Sequence, residues 1–190
     1  MREKIKDIFL QSIQVKEELL RTAITQIIDM TELLIDCLKK DGKIILFGNG
    51  GSASDSQHIA AELIGRFKKD RSALAAISLN VNTSVLTSIA NDYGYDAVFA
   101  KQIEALGKKN DVAIGISTSG KAKNVISGIK QAKKQGLKTI ILTGGDGGEL
   151  AKLSDISLIV PSCVTARIQE AHITIGHIIC ELIEQAFFQD

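Results

Sequence analysis

The stretch Lys43-Ile44-Ile45-Leu46-Phe47-Gly48-Asn49-Gly50-Gly51-Ser52-Ala53-Ser54-Asp55 runs from an unbroken apolar segment straight into a glycine-rich turn. Consecutive apolar residues without alternation suit a strand buried on both faces, the condition of an interior strand in a parallel sheet. Outward from it, similar short apolar runs recur at Ala73 to Leu79, Val112 to Ile116, Thr139 to Leu142 and Ile156 to Val160, mostly separated by helix-like pattern. Strand, crossover helix, strand predicts an α/β fold: a doubly wound, five-stranded parallel sheet flanked by helices, with right-handed crossovers. Upstream, residues 2–40 carry Ile5, Phe9, Ile13, Leu20, Ile24, Ile28, Leu34 and Leu38 at helical spacing, with no Gly or Pro. This predicts one long helix or two joined ones, stopped at Asp41-Gly42. Downstream of the only proline, Pro161, a last amphipathic helix is expected from about Val164 to Phe188.

No linker, repeat or low-complexity segment interrupts the chain, so residues 1–190 read as a single domain. Its 1–40 region has apolar residues on more faces than one sheet can cover, which predicts a role in assembly. A chain of 190 residues buries roughly 70% of its unfolded surface, so no staples are needed. Lys plus Arg is 23 against 22 for Asp plus Glu, a formal charge of +1 that argues against bulk binding to nucleic acid through counterion release. Aromatic residues are 4%, too few for base-stacking platforms. Cys37, Cys163 and Cys180 match no disulfide framework or Cys-cluster metal site, and neither a signal peptide nor a membrane span is evident. A cytoplasmic protein without membrane or nucleic-acid partners is expected.

Ligands in open parallel sheets bind at the carboxyl ends of the strands. The first loop there matches a dinucleotide fingerprint loosely, at Gly48, Gly50 and Ala53. The acid that would hold a ribose is missing, since the second strand ends Leu79-Asn80-Val81-Asn82. What remains is a turn whose backbone can approach an anion at a helix N-terminus, or a turn that only needs flexible glycines. The second loop, Gly115-Ile116-Ser117-Thr118-Ser119-Gly120-Lys121-Ala122, is one residue short of a P-loop. Ala122 lacks the hydroxyl that holds Mg²⁺, which excludes a nucleotide triphosphatase. Three hydroxyl residues followed by Gly-Lys at a helix start still suit one phosphate group; the alternative is a polar loop capping a helix.

The three histidines fall in two short segments. His58 and Glu62 are spaced i, i+4 and share a helix face, a spacing also common in surface ion pairs. In Arg167-Ile168-Gln169-Glu170-Ala171-His172, with His177 five residues on, His172 reads as a hydrogen-bonded core residue. Gln169 and His177 lie roughly 12 Å apart along the axis, so they could share a metal only if it sat between them. Histidine, carboxylate and amide oxygen suit zinc, and other first-row metals nearly as well. The run Phe67-Lys68-Lys69-Asp70-Arg71 reads as a solvated turn, with Arg66 nearer the site.

Taken together, Gly48-Asn-Gly-Gly-Ser, His58-x-x-x-Glu62-x-x-Gly-Arg66, Asn91-Asp92-Tyr-Gly, Gly115-Ile-Ser-Thr-Ser-Gly120, Leu142-Thr-Gly and Arg167-Ile-Gln169-Glu-x-His172-x-x-x-x-His177 resemble the phosphoheptose isomerases of the SIS (sugar isomerase) class. The resemblance spans essentially the whole chain. It implies an SIS-type fold and a bacterial cytoplasmic homotetramer with active sites at subunit interfaces. The implied reaction converts sedoheptulose 7-phosphate to D-glycero-D-manno-heptose 7-phosphate for surface polysaccharide such as lipopolysaccharide. It implies one zinc per subunit at His58, Glu62, Gln169 and His177, with Glu62 and His177 as the acid/base pair. Substrate would meet Asn49, Gly50, Gly51, Ser52, Arg66, Asn91, Asp92, Ser117, Thr118, Ser119 and Gln169. One departure is Ala122, where the family usually carries serine.

Moving a carbonyl between C1 and C2 needs a base that carries a proton between carbons through an enediol, and an acid that serves the oxygens. A carboxylate that is also a zinc ligand is a weaker base, which sets two roles of Glu62 against each other. The competing expectation is a non-catalytic SIS scaffold that binds a replication initiator; it has no chemical need for His177 opposite His58 and Glu62. A sugar-phosphate sensor would need a further effector domain.

Overall fold

The computed structural model describes residues 1–188. The elements are α1 (Arg2–Thr22), α2 (Ile24–Lys39), β1 (Ile44–Gly48), α3 (Gly51–Ile64), β2 (Ala76–Ser78), α4 (Thr83–Tyr93), a 3-10 turn (Tyr95–Ala97), α5 (Val98–Leu106), β3 (Val112–Ser117), α6 (Lys123–Lys134), β4 (Lys138–Gly144), α7 (Leu150–Leu153), β5 (Ile156–Val160) and α8 (Thr165–Phe187). The strands form one sheet, parallel throughout, in the order β2-β1-β3-β4-β5. This is a doubly wound order whose direction reverses between β1 and β3. That reversal opens a crevice at their carboxyl ends.

The apolar run that begins the argument is a strand covered on both sides. Ile44 and Leu46 join a core with Met30, Leu34, Ile59 and Ile175 from α2, α3 and α8. Ile45 and Phe47 face the opposite core, with Phe99, Ile103 and Ile129 from α5 and α6. Because both alternating faces are buried, the two-residue period vanishes from the sequence. Phe47 and Phe99 sit with ring centroids 5.1 Å apart, so Phe47→Ala should cost about 3–5 kcal/mol.

The N-terminal region is two helices, bent at Ala23 (φ −113°, ψ 0°), whose N–H still bonds Leu19 O at 2.8 Å. On α1 only Val15 and Leu19 are buried, while Ile5, Phe9, Leu10, Ile13 and Leu20 are exposed. At the end of α2 the left-handed residue is Asp41 (φ 57°), with Gly42 N–H bonded to Cys37 O and Asp41 N–H to Leu38 O. Those are the two bonds of a Schellman close. Gly42 serves a different need, since a Cβ there would collide with the Asn110 carbonyl.

Two expectations are corrected. The second strand covers only residues 76–78, not 73–79: β2 is an edge strand paired with β1 over three residues, and the chain before it is drawn back across the end of α3. The charged run from Phe67 to Arg71 is not a simple solvated turn. The Arg71 side chain is only 2% exposed, paired with Glu184 at 3.2 Å.

Candidate active site

The adjacency of β1 and β3 makes neighbours of the two loops singled out in the sequence. After β1, Gly50 (φ 56°, ψ −121°) takes a conformation that a side chain would resist, and turns the chain into α3. Asn80, at the end of β2, ties this turn down. Its Nδ2 donates to Gly48 O (2.9 Å), and its Oδ1 accepts from Gly48 N–H (3.2 Å) and the Ser56 hydroxyl (3.1 Å). Asn49 exchanges amide hydrogen bonds with Asn124 of α6 at 2.8 and 2.9 Å and accepts from the Tyr95 hydroxyl. Ser52 is buried in the first turn of α3.

After β3, Ser117 is buried, Thr118 half-buried and Ser119 exposed. Gly120 (φ 65°) closes the turn through its N–H to Ser117 O. It lies so near the Gly147-Gly148 backbone that a Cβ would overlap it. Thr118, Ser119, Lys121, Gly144, Gly145 and Asp146 line a cavity of about 410 Å³. Lys121 and Asp146 pair at 3.5 Å, both largely exposed. The Gly148 N–H and Lys121 hold the Asp146 carboxyl below its ordinary range. Ala122 caps α6 with no side-chain bond.

Beside these loops two helices bring titratable groups together. His58 Nε2 of α3 lies 2.9 Å from His177 Nε2 of α8 and 3.3 Å from Glu62 Oε1. One donor atom from each of the three falls within 4.8 Å of the others. Two imidazole nitrogens this close share either a proton or a cation. Tetrahedral zinc with bonds of 2.0–2.1 Å would set them roughly 3.3 Å apart, a small opening from what is seen. Gln169 lies against Gly51, where a Cβ would meet its carboxamide. The three donors His58, Glu62 and His177 fit zinc in both chemistry and spacing, and Gln169 stands against the start of α3, the helix of His58 and Glu62. The Phe67 ring lies 5.7 Å from the His177 ring. Asp55, one turn before His58, has one buried oxygen without a partner. Burial pushes its carboxyl up to about 6, against the pull of His58. His172 is a core residue: its Nε2 lies 3.1 Å from Thr143 O, and burial lowers its pKa to about 4.

Of the expected site residues, His58, Glu62 and His177 meet, Gln169 touches the start of α3, and Asn49–Ser52 and Ser117–Ser119 flank the crevice. Arg66, Asn91 and Asp92 are exposed. Asn91 bonds only its neighbour Asp92, at 2.8 Å, among the described residues. Asn80, Asn124 and Asp146 went unrecognised in the sequence, whereas Lys121 reads there as part of the phosphate loop. Asn80 had a signal, standing at the end of a strand where a ribose-binding acid was sought and not found. A larger cavity, about 500 Å³, lies between α1 and the start of α8 and shares no lining residue with either group.

The chain combines a parallel sheet of this order, a hydroxyl-rich glycine loop at its switch point and a His-Glu-His cluster between α3 and α8, and the family model for the SIS domain matches residues 9–144. The phosphoheptose isomerase of Aquifex aeolicus is 51% identical over 185 residues, covering 97% of each chain. The solved phosphoheptose isomerase of Neisseria gonorrhoeae is 45% identical with a TM-score of 0.92, covering 97% of this chain and 98% of its own. That of Francisella tularensis is 38% identical with a TM-score of 0.94, covering 96% and 97%. The chain belongs to the phosphoheptose isomerase family of SIS domain proteins.

Proposed function

We propose that this protein is an aldose-ketose isomerase that converts sedoheptulose 7-phosphate to D-glycero-D-manno-heptose 7-phosphate through an enediol. The observation that carries the reading is the convergence of Glu62 and His177 from two helices, with Ile168 of α8 itself lining the cavity of Thr118 and Ser119. Ile168, at the phosphate cavity, and His177 are nine residues apart on α8, about 13 Å along its axis. An open-chain seven-carbon sugar with its phosphate at the far end bridges such a gap; a three-carbon phosphate does not.

In this reading the hydroxyls of Ser117, Thr118 and Ser119 and the first amides of α6 bind the phosphate, with Lys121 as counter-charge. The turn Asn49-Gly50-Gly51-Ser52 approaches the sugar with backbone groups. Glu62 takes the proton from C1 and returns it to C2, and His177 serves O1 and O2 in turn. His58, Glu62, Gln169 and His177 would hold one zinc ion. When bound, it supplies positive charge for the oxygens of the enediol. Arg66, Asn91 and Asp92 reach substrate in a homotetramer whose sites lie at subunit interfaces. The exposed apolar face of α1 supports such an assembly. The product feeds cell-surface heptose in the cytoplasm, a placement compatible with the absence, among the described residues, of any helix long and apolar enough to cross a membrane. A protein-binding scaffold has no chemical use for this cluster.

The test is Glu62→Gln, which keeps shape and removes the basic lone pair. Turnover of sedoheptulose 7-phosphate, followed by NMR, should fall about 10²- to 10⁴-fold. Metal content and phosphosugar affinity, measured alongside, should fall far less. The wild type in D₂O should place deuterium at C2 of the aldose. A Glu62→Gln protein that keeps its metal and isomerises near the wild-type rate removes Glu62 as the base.

A further inference from the structure

We propose that the buried Arg71-Glu184 pair is a positioning clasp, which fixes the carboxyl end of α3 against α8 and so sets Glu62 and His58 opposite His177. The proposal rests on the isomerase reading for its kinetic part only. A helix leaves its last carbonyls without intrahelical partners. One guanidinium takes two of these in α3 and the carbonyl just beyond: Arg71 donates to Glu62 O at 2.8 Å, Leu63 O at 2.8 Å and Gly65 O at 3.1 Å. The backbone of the proposed base is thus gripped directly. The Arg71 Nε goes to Glu184 Oε2 at 3.2 Å.

Glu184 is 2% exposed and has no water to rely on. It accepts three backbone N–H bonds in succession, from Phe67 at 3.1 Å, Lys68 at 2.9 Å and Lys69 at 2.9 Å. Burial would raise its carboxyl, but the three amides and Arg71 outweigh that and hold it low, so the group is a carboxylate. Glu184 follows His177 by seven residues, two turns on a shared face of α8. The same three amides fix the backbone of Phe67, whose ring bounds the His177 ring. Between α3 and α8 themselves, among the described residues, the one hydrogen-bond contact is that of His58 with His177. Without the clasp, that contact would be the one hydrogen bond left to set the register of two helices among the described residues.

Apolar side chains could hold the helices together without the cost of desolvating two charges. They could not fix register as a fork of donors and a four-bonded carboxylate do. A merely structural pair and a positioning pair therefore make different predictions. In Glu184→Gln the carboxamide turns an N–H₂ toward groups that are all donors. The variant should still unfold cooperatively but lose the NOE between the His58 and His177 rings, which needs neither substrate nor metal. Its kcat should fall at least about 10-fold, compared at temperatures equally far below each Tm, with KM changed less than about threefold because the phosphate loop is elsewhere. Glu181→Gln, on the same helix but paired with Lys68 at the surface, should change neither. Arg71→Lys, which keeps the charge and loses the fork, serves if Glu184→Gln does not fold, and should behave as Glu184→Gln does. Retention of the ring NOE in the folded variant overturns the proposal whatever happens to turnover. A wild type that shows the NOE but never isomerises sedoheptulose 7-phosphate overturns the isomerase reading instead, and the NOE still judges the clasp.

Discussion

Replacing Gly51 with alanine separates the role of Gln169 from the stability of the fold. Gly51 opens α3 at an ordinary backbone angle, so alanine is tolerated there and is the better helix former by up to about 1 kcal/mol. Its methyl would stand 2.8 Å from Gln169 Cδ and 2.9 Å from Oε1, nearer still to Nε2, where ordinary contacts begin at 3.4 Å. The carboxamide must therefore retreat by roughly 1 Å at Nε2, its nearest atom, which its flexible end can do at little cost to folding. A displacement of that order in a positioned group reduces rates by up to about 10²-fold. Gly51→Ala should then lose about 10- to 100-fold in turnover, while its thermal midpoint stays level or rises. The double variant with Gln169→Ala should be no slower than Gln169→Ala alone, because both remove the same interaction. The rates come from NMR of the sugar phosphate and the midpoints from thermal unfolding. Independent, multiplicative losses, or full activity in Gly51→Ala beside a crippled Gln169→Ala, would refute the placement of that carboxamide.

Ala122→Ser should supply the missing cap of α6, adding about 0.5–2 kcal/mol in denaturant unfolding and lowering KM through one more phosphate donor. Asp146→Asn removes a carboxylate from the phosphate cavity and frees Lys121, so KM should fall, whereas Lys121→Met should raise it; opposite signs in steady-state kinetics check both. Acid stability should report His172. Its folded pKa of about 4 lies below the ordinary 6.5, so the unfolded chain takes the proton first and stability is lost as pH falls from 6.5 to 4. The loss has an upper bound of roughly 3 kcal/mol from this group. Asp55, raised to about 6, opposes it by favouring the folded state over nearly the same window, so Asp55→Asn should steepen the acid loss in pH-dependent unfolding.

The sheet was legible because Ile44 to Phe47 are buried on both faces, and that condition writes itself into four consecutive residues. Ala73 to Ala75 are as apolar as a strand and were read as one, yet Leu74 N–H bonds back to Leu63 O at the end of α3, and only Ala75 O reaches β1, at Ile44 N–H. His58 and Glu62 were legible as a pair through helical spacing alone. Their meeting with His177 had no local signal and came from the family resemblance, since His177 is 119 positions from His58. Arg71 misled for the same reason: beside Lys68, Lys69 and Asp70 it reads as solvated, and the carboxylate that buries it is 113 positions away. Local chemistry marked the loops; long-range pairing decided which charges are inside.

The sequence distance between His58 and His177 also carries a meaning in time. At about 5–20 residues per second, a ribosome needs roughly 6–24 s to travel the 119 residues between them. Throughout that interval α3 can form against β1, with His58 and Glu62 already present and His177 not yet made. Until then the cluster lacks its third member. It closes only when α8, last in sequence among the described elements, docks on the core. Docking of that helix is thus the last step within one chain that completes the His58-Glu62-His177 cluster.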